Sequence, residues 1–211
     1  MAISYKDIII TPNRSNTADP KIEFRGGNTS VNTAITVQTY PTSNGTLSFE
    51  GSAGQLFSIT NDLTGSIFSV NDVSGIPSIE VFANGQINMA QFGGTVLLAS
   101  YEETVIANTI TANTHAVDLS LGNMFNLTLA NASITISFTN PPANGISSSL
   151  TLHCKQDGTG SRVITWPASV KWPNASAPTM STGANKIDVF SFFTLDGGAT
   201  YLGALSLANT G

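Results

Sequence analysis

The chain has 211 residues, of which 41% are hydrophobic and only 10% are charged, and its net charge is −5. Globular domains usually carry about a quarter charged residues, so uncharged polar side chains must cover most of this surface. The hydrophobic fraction is too high for intrinsic disorder. The eight basic residues are too few for a phosphate-binding surface, so we expect no nucleic-acid partner.

The first 49 residues show short β-strand patterns with little core between them. Residues 8–10 are an apolar run, and residues 21–25 alternate apolar and polar side chains. Residues 33–40 and 46–49 are predicted to form a hairpin, because Asn44-Gly45 supplies the positive φ of a tight turn. Strands this sparse need a neighbour for stability, so we expect this segment to dock on another surface.

The stretch 55–85 repeats one pattern. A β-branched and aromatic run closed by an Asn, Asp or Gly turn occurs at 56–65, at 67–75 and, less clearly, at 79–85. Each copy is predicted to be one strand. Because each copy is so short, it cannot bury its own apolar face. Neighbouring copies, or the same copy in other subunits, must cover that face. The candidate core contacts between subunits are Leu56, Phe57, Ile59, Ile67, Phe68, Val70 and Val73. That the subunits form a homotrimer is what the resemblance given below implies.

Two acidic residues occupy matching turns of this repeat. Asp62 and Asp72 each follow an Asn and precede a Gly turn. A ladder of calcium ligands would need a glycine-rich nonapeptide, which the sequence lacks. The two side chains are therefore predicted to bond turn backbone groups, and no metal site is predicted.

After the repeat, residues 96–99 are predicted to form a further strand. Residues 100–114 show no clear periodicity of apolar residues and are predicted to be a linker. No long helix is predicted. No apolar run has the length of a membrane span, so membrane insertion is not expected. Residues 1–7 lack the apolar core of a signal peptide, so we expect synthesis in a cytoplasm without export.

The last hundred residues are predicted to form a β-sandwich of jelly-roll type, because short strands and turns recur there at regular spacing. In 133–138 the alternation places Ile134, Ile136 and Phe138 on one face. The predicted fold class is therefore all-β. Its predicted parts are an N-terminal β segment (1–49), a short β-repeat shaft (50–99), a linker (100–114) and a C-terminal β-sandwich domain (115–211).

The sequence predicts no catalytic residue and no cofactor. A nucleophilic triad or dyad would have to use His115 or His153, the two histidines of the chain. His153 and Cys154 are neighbours in a predicted strand, where adjacent side chains point to opposite faces. We therefore expect these residues to have structural positions only.

Two motifs of the C-terminal domain have alternative interpretations. A phosphate cradle at Gly158-Thr159-Gly160 would need a following helix, but a strand pattern follows, which favours a hairpin turn. Trp166, Trp172 and Tyr201 are candidate glycan contacts, since exposed aromatic rings stack on sugars. Trp-Pro pairs at strand ends are more typical of core positions.

The run 155–173, with 186–192 and 196–201, resembles the small C-terminal β domain of many tailed-phage fibre and virion-surface proteins. The N-terminal stretch and the Asn-Asp repeats resemble fibre-like proteins of marine phages, especially those infecting cyanobacteria. The resemblance implies a noncatalytic component of the virion surface, usually trimeric.

Two functions are therefore expected. The first is a structural virion protein, either a short trimeric fibre or spike or a capsid decoration (head fibre) protein, joined to other virion proteins through residues 1–49. The alternative is a host-glycan-binding adhesin, a receptor-binding module of a tail fibre.

Overall fold

The computed structural model describes residues 7–11, 20–25, 35–40, 45–61 and 64–211. Within these ranges the secondary structure consists of β-strands and one three-residue 3₁₀ turn, so the predicted all-β class is confirmed. The chain divides into two units, Met1–Ala99 (unit 1) and Ser100–Gly211 (unit 2).

Unit 1 contains an antiparallel sheet of eight strands in which each strand pairs with the next along the chain. The hairpin predicted across residues 41–45 is confirmed, because Tyr40 pairs with Thr46, although residues 41–44 lie outside the described part. The strands are β1 (Asp7–Thr11), β2 (Lys21–Arg25), β3 (Ile35–Tyr40), β4 (Thr46–Gly51), β5 (Gly54–Ile59), β6 (Ser66–Asn71), β7 (Pro77–Phe82) and β8 (Ile87–Met89).

The sequence repeat supplies the strands β5, β6 and β7, one strand per copy as predicted. The copies pair with each other in the same chain, Phe57 opposite Val70 and Val70 opposite Ile79. The backbone groups of the repeat are thus bonded within one chain. Only a face of the sheet is left for contact with other subunits.

The stretch between the repeat and the C-terminal strands differs from the expectation. Residues 96–99, predicted as a strand, belong to no strand. A strand at Val105–Ile110 lies inside the predicted linker 100–114. That strand forms because Ile106 and Ile110 face the core of unit 2, a tertiary contact that overrides its weak local pattern.

Unit 2 contains two sheets. The larger has the order β15-β17-β16-β13-β11-β9, and the smaller has the order β10-β12-β14. Its strands are β9 (Val105–Ile110), β10 (Thr114–Asp118), β11 (Met124–Leu129), β12 (Ser133–Thr139), β13 (Asn144–Gln156), β14 (Val163–Thr165), β15 (Val170–Lys171), β16 (Ile187–Asp196) and β17 (Tyr201–Thr210).

The two sheets are wound by a chain that changes sheet at every connection from β9 to β14. Strands of one sheet that are successive in this winding are therefore parallel, as β9, β11 and β13 are. Only β13, β16 and β17 pair antiparallel. The connections are thus not those of a jelly roll, in which the strands are antiparallel. Alternation predicts which residues are buried, but it is the same for both strand directions.

One core fills the space between the two sheets. Ile134 and Ile136 of the smaller sheet are buried, as the alternation predicted, and Phe138 packs against this core while half-buried. From the larger sheet come Leu127, Leu152 and other apolar residues. Trp166 and Trp172 pack at the edge of the same cluster.

A loop of unit 2 is fixed to this core by Gln156, whose side chain is buried. Its Nε2 donates to the carbonyl oxygens of Arg162 and Ser181, both at 2.9 Å, and its Oε1 accepts from the Arg162 N–H at 2.8 Å. In the loop, Gly160 has φ +74°, and a Cβ built there would lie 2.5 Å from the Thr182 carbonyl oxygen. The close approach therefore requires glycine.

We expect Gly160→Ala to lower the free energy of unfolding of unit 2 by about 2 kcal/mol or more, through backbone strain and the clash with Thr182. Both tryptophans of the chain lie in unit 2, so urea unfolding followed by tryptophan fluorescence reports on this unit. Gly158→Ala is the matched control, because a Cβ at Gly158 meets no atom within 4 Å. Equal stability of the two variants would contradict the assigned role of Gly160.

Candidate functional site

One face of the sheet in unit 1 is apolar from edge to edge, and we call it the apolar face. Residues opposite one another on neighbouring strands share a face. One apolar row crosses all eight strands through Ile10, Ile22, Val37, Phe49, Phe57, Val70, Ile79 and Met89. A second row, two residues away along each strand, runs through Leu47, Ile59, Phe68, Val81 and Ile87.

The apolar face is ordered by its own side chains but is open to solvent. The rings of Phe49 and Phe57 stack with centroids 4.1 Å apart, and Phe68 lies 6.4 Å from Phe57. Ile59 and Ile87 nevertheless expose 51% and 57% of their surface. With strands about 4.8 Å apart, the two rows cover roughly 400–500 Å². The largest apolar patch of a typical monomer is of similar size, about 300–600 Å², and is often functional.

The opposite face of the same sheet is polar and forms its own hydrogen bonds. Ser58 and Ser69 bond through their hydroxyls at 3.0 Å, and Gln55 donates to Ser48 at 2.8 Å. Asn71 donates to Gln55 at 3.0 Å. The polar side chains of this face thus bond to one another, whereas the apolar side chains of the other face remain partly exposed to water.

Four of the seven candidate trimer-core contacts lie on the apolar face: Phe57, Ile59, Phe68 and Val70. Leu56 and Ile67 do not pair, because each is the extra residue at a shift of the strand register. Val73 lies in the turn after β6 and is 77% exposed. A period-two pattern does not reveal such bulges. The contribution of all seven residues to a trimer stays a prediction.

Nine further residues of the apolar face were not among the candidates: Ile10, Ile22, Val37, Leu47, Phe49, Ile79, Val81, Ile87 and Met89. Ile79 and Val81 come from the third copy of the repeat, and the other seven come from strands on both sides of it. Except for Ile10, which ends an apolar run, each lies in a short alternating run, which is the signal that could have identified it. Their alignment in rows depends on the register between strands, and the sequence does not show it.

The turn residue Asp72 has the predicted structural position. Its Oδ1 accepts hydrogen bonds from the backbone N–H groups of Ser74 at 2.7 Å and Ile76 at 3.0 Å. Asp62 lies outside the described residues. In the part of the chain that the structure describes, no three His, Cys, Asp or Glu side chains are grouped so that they could hold a metal ion.

The histidines and the cysteine do not form a dyad or triad of the kind used in nucleophilic catalysis. Cys154 is buried in the core, and this burial raises the pKa of its thiol. His153 points away from the core, with Nδ1 2.8 Å from Asn126 Oδ1, so adjacent residues do face opposite ways. His115 is half-buried; its Nε2 has no hydrogen-bond partner, and burial lowers its pKa.

The glycine loop 158–160 binds a carboxylate of its own chain. Asp157 Oδ1 accepts the N–H groups of Thr159 and Gly160, both at 3.0 Å. The Arg162 guanidinium clamps the same carboxylate, with Nη2 2.7 Å from Oδ2. These hydrogen bonds, chiefly the one from Arg162, lower the pKa of Asp157 from 3.8 to about 2. A strand follows the loop, as predicted. The predicted hairpin is wrong, because that strand, β14, lies in the smaller sheet whereas β13 lies in the larger one.

The tryptophan and tyrosine candidates for glycan contact lie in one aromatic cluster. Tyr201 is buried, with its ring centroid 4.5 Å from that of Phe138. Trp166 and Trp172 are half-buried, with ring centroids 5.3 Å apart. Trp166 also lies 4.8 Å from Phe190. Much of each ring is therefore used in packing, and glycan contact at these positions stays a prediction.

Residues 106–199 match the family model described as "Putative phage tail fibre C-terminal domain". The matched range lies within unit 2. Comparison with curated proteins and comparison with solved structures give no match. The family match supports a phage tail fibre protein, in agreement with the resemblance found in the sequence. Among the described residues, no helix has the length and apolar character of a membrane span.

The low pKa of Asp157 predicts an acid-sensitive loop. A carboxyl whose pKa is lowered by folding stabilises the folded state above its ordinary pKa, and this stabilisation is lost as pH falls through the folded value. We expect the stability difference between wild type and Asp157→Asn to be constant at neutral pH and to shrink between about pH 4 and pH 2. Urea midpoints measured by tryptophan fluorescence test this.

Arg162→Gln is the control for that series, since it leaves the carboxyl but removes the cation. Its difference from wild type should shrink over the same pH range. A difference that persists unchanged to pH 2 for both variants would contradict the ion pair as the cause.

Proposed function

We propose that this chain, whose C-terminal unit carries the phage tail fibre match, is a non-enzymatic structural subunit of a short trimeric fibre or spike on the surface of a phage particle. Residues 1–49 are proposed to join it to other virion proteins. A decoration of the capsid is the same kind of assembly at another place on the virion.

The observation that carries the proposal is the open apolar face of unit 1. Three such sheets around a three-fold axis would turn every apolar face inward and every polar face toward water. Burying the exposed half of a large aliphatic side chain contributes roughly 1 kcal/mol. Several such residues on each chain, among them Ile59, Ile87 and Met89, can therefore stabilise a permanent oligomer.

The size and charge of the face agree with contact between copies of the chain. Its roughly 400–500 Å² lies below the ~800 Å² per partner of a standard protein interface, to which side chains at the rim also contribute. Neither apolar row contains a charged residue, so identical faces meet without repulsion between like charges.

We expect the full-length protein to have a mass near three times 22.0 kDa by light scattering, and to keep that mass on dilution. Ile59→Asp and Ile87→Asp should each lower the mass toward that of one chain, because a buried unpaired carboxylate destabilises the interface. Ile87 lies on the edge strand β8, so its variant disturbs the sheet least.

The matched control is Leu121→Asp, at a turn residue of unit 2 that is 60% exposed. Its mass should equal that of wild type. Circular dichroism verifies that each variant retains its β-structure. A wild-type protein that is monomeric at every concentration would contradict the proposal and favour the glycan-binding alternative. Trimers of unchanged mass in both isoleucine variants would exclude the apolar face as the contact.

A further inference from the structure

Unit 1 ends in a short segment, residues 95–99, whose apolar side chains are open to solvent. Leu97 is 93% exposed and Leu98 is 60% exposed, and Val96 beside them is also exposed. Single exposed apolar residues are normal on a protein surface. Three in succession are not, unless they have a partner.

The backbone of this segment also lacks a partner. No backbone hydrogen bond joins residues 95–99 to any other described residue. The sequence, Thr-Val-Leu-Leu-Ala, is that of a short strand. A strand needs another strand for its N–H and C=O groups, and the described part of its own chain provides none. A strand formed here would therefore take its pairing groups from outside the described residues of its own chain.

The charge pattern is compatible with a second copy of the chain as the partner. Residues 86–101 contain no charged side chain, although charged residues are 10% of the whole chain. Identical segments can therefore approach one another without repulsion. The same absence of lysine and arginine gives phosphate groups of a nucleic acid or a lipid surface nothing to bind.

The position of the segment in the chain favours the same partner. It follows β8, the strand that carries Ile87 and Met89 at the end of both apolar rows. The exposed apolar surface of unit 1 thus continues from the sheet into the segment through Phe92, which is also exposed. An assembly that covers the apolar face brings the segments of its copies to the same end.

We propose that residues 95–99 of neighbouring copies pack against one another as strands and so form a second assembly contact, next to the apolar face. This rests on the proposed trimer and deepens it. Leu97, the most exposed residue of the segment, is buried between copies in the assembly.

The test uses cysteine cross-linking in the full-length protein. The chain has a single cysteine, Cys154, which is buried and has a raised thiol pKa, so it does not react under mild oxidation. Single variants Val96→Cys, Leu97→Cys and Leu98→Cys therefore report only on contacts of the segment. Leu121→Cys is the control, at a comparably exposed position of unit 2.

We expect at least one of the three segment variants to give a covalent dimer of twice 22.0 kDa on oxidation, seen on a non-reducing gel. A disulfide forms only where the two Cα atoms lie within about 7 Å, so it requires that the segments touch. The control should stay a single chain at the same protein concentration.

Light scattering of the reduced variants separates the possible failures. A trimer that gives no cross-link at any of the three positions would overturn the segment contact and leave the proposed trimer intact. Cross-linking of the control to the same extent would also overturn it, because random collision would then explain the product. A monomeric mass would reject the trimer and the segment contact together.

Discussion

The structure of unit 1 depends on the register between its strands. The observed alignment places an apolar residue from each of eight strands in a single row, from Ile10 on β1 to Met89 on β8. A slip of one residue between two alternating strands, such as β4 and β5, would move apolar side chains to the polar face. The stacked rings of Phe49 and Phe57 and the bonded hydroxyls of Ser58 and Ser69 hold the central pairs in this register from both faces. The unpartnered apolar face is therefore a product of the same alignment that makes the sheet.

In unit 2, buried polar side chains hold the loops in place. Asp188 lies in the core and accepts hydrogen bonds from the Ser181 N–H at 2.6 Å, the Ser181 hydroxyl at 2.7 Å and the Asn209 N–H at 3.0 Å. Gln156 joins the loops at Arg162 and Ser181 in the same way. Because a buried polar group without its partner costs free energy, each loop has one favoured position. The run that resembles phage fibre domains, residues 155–173, contributes Gln156 and Arg162 to these contacts.

Strand existence could be predicted from the sequence where alternation was clear. The three copies of the repeat each became one strand, and Ile134 and Ile136 are buried as their pattern indicated. What alternation does not contain is direction and register. The parallel pairing of β11 with β13 joins residues far apart in sequence, and no local pattern marks it. For the same reason, only the candidates Phe57, Ile59, Phe68 and Val70 were placed on the apolar face, whereas bulges displaced Leu56 and Ile67.

The two units also differ in the sequence separation between paired strands. In unit 1 each strand pairs with its immediate neighbour, and such local contacts form quickly. In unit 2 each strand from β9 to β12 pairs with the second strand after it in the chain. Such less local contacts are associated with slower folding. During synthesis, which proceeds from the N-terminus, the meander is complete while the C-terminal sandwich is still being made. Its apolar face is then exposed to water before a whole subunit exists. If copies of the chain associate through the apolar face as proposed, that face is available for contact before the sandwich has folded.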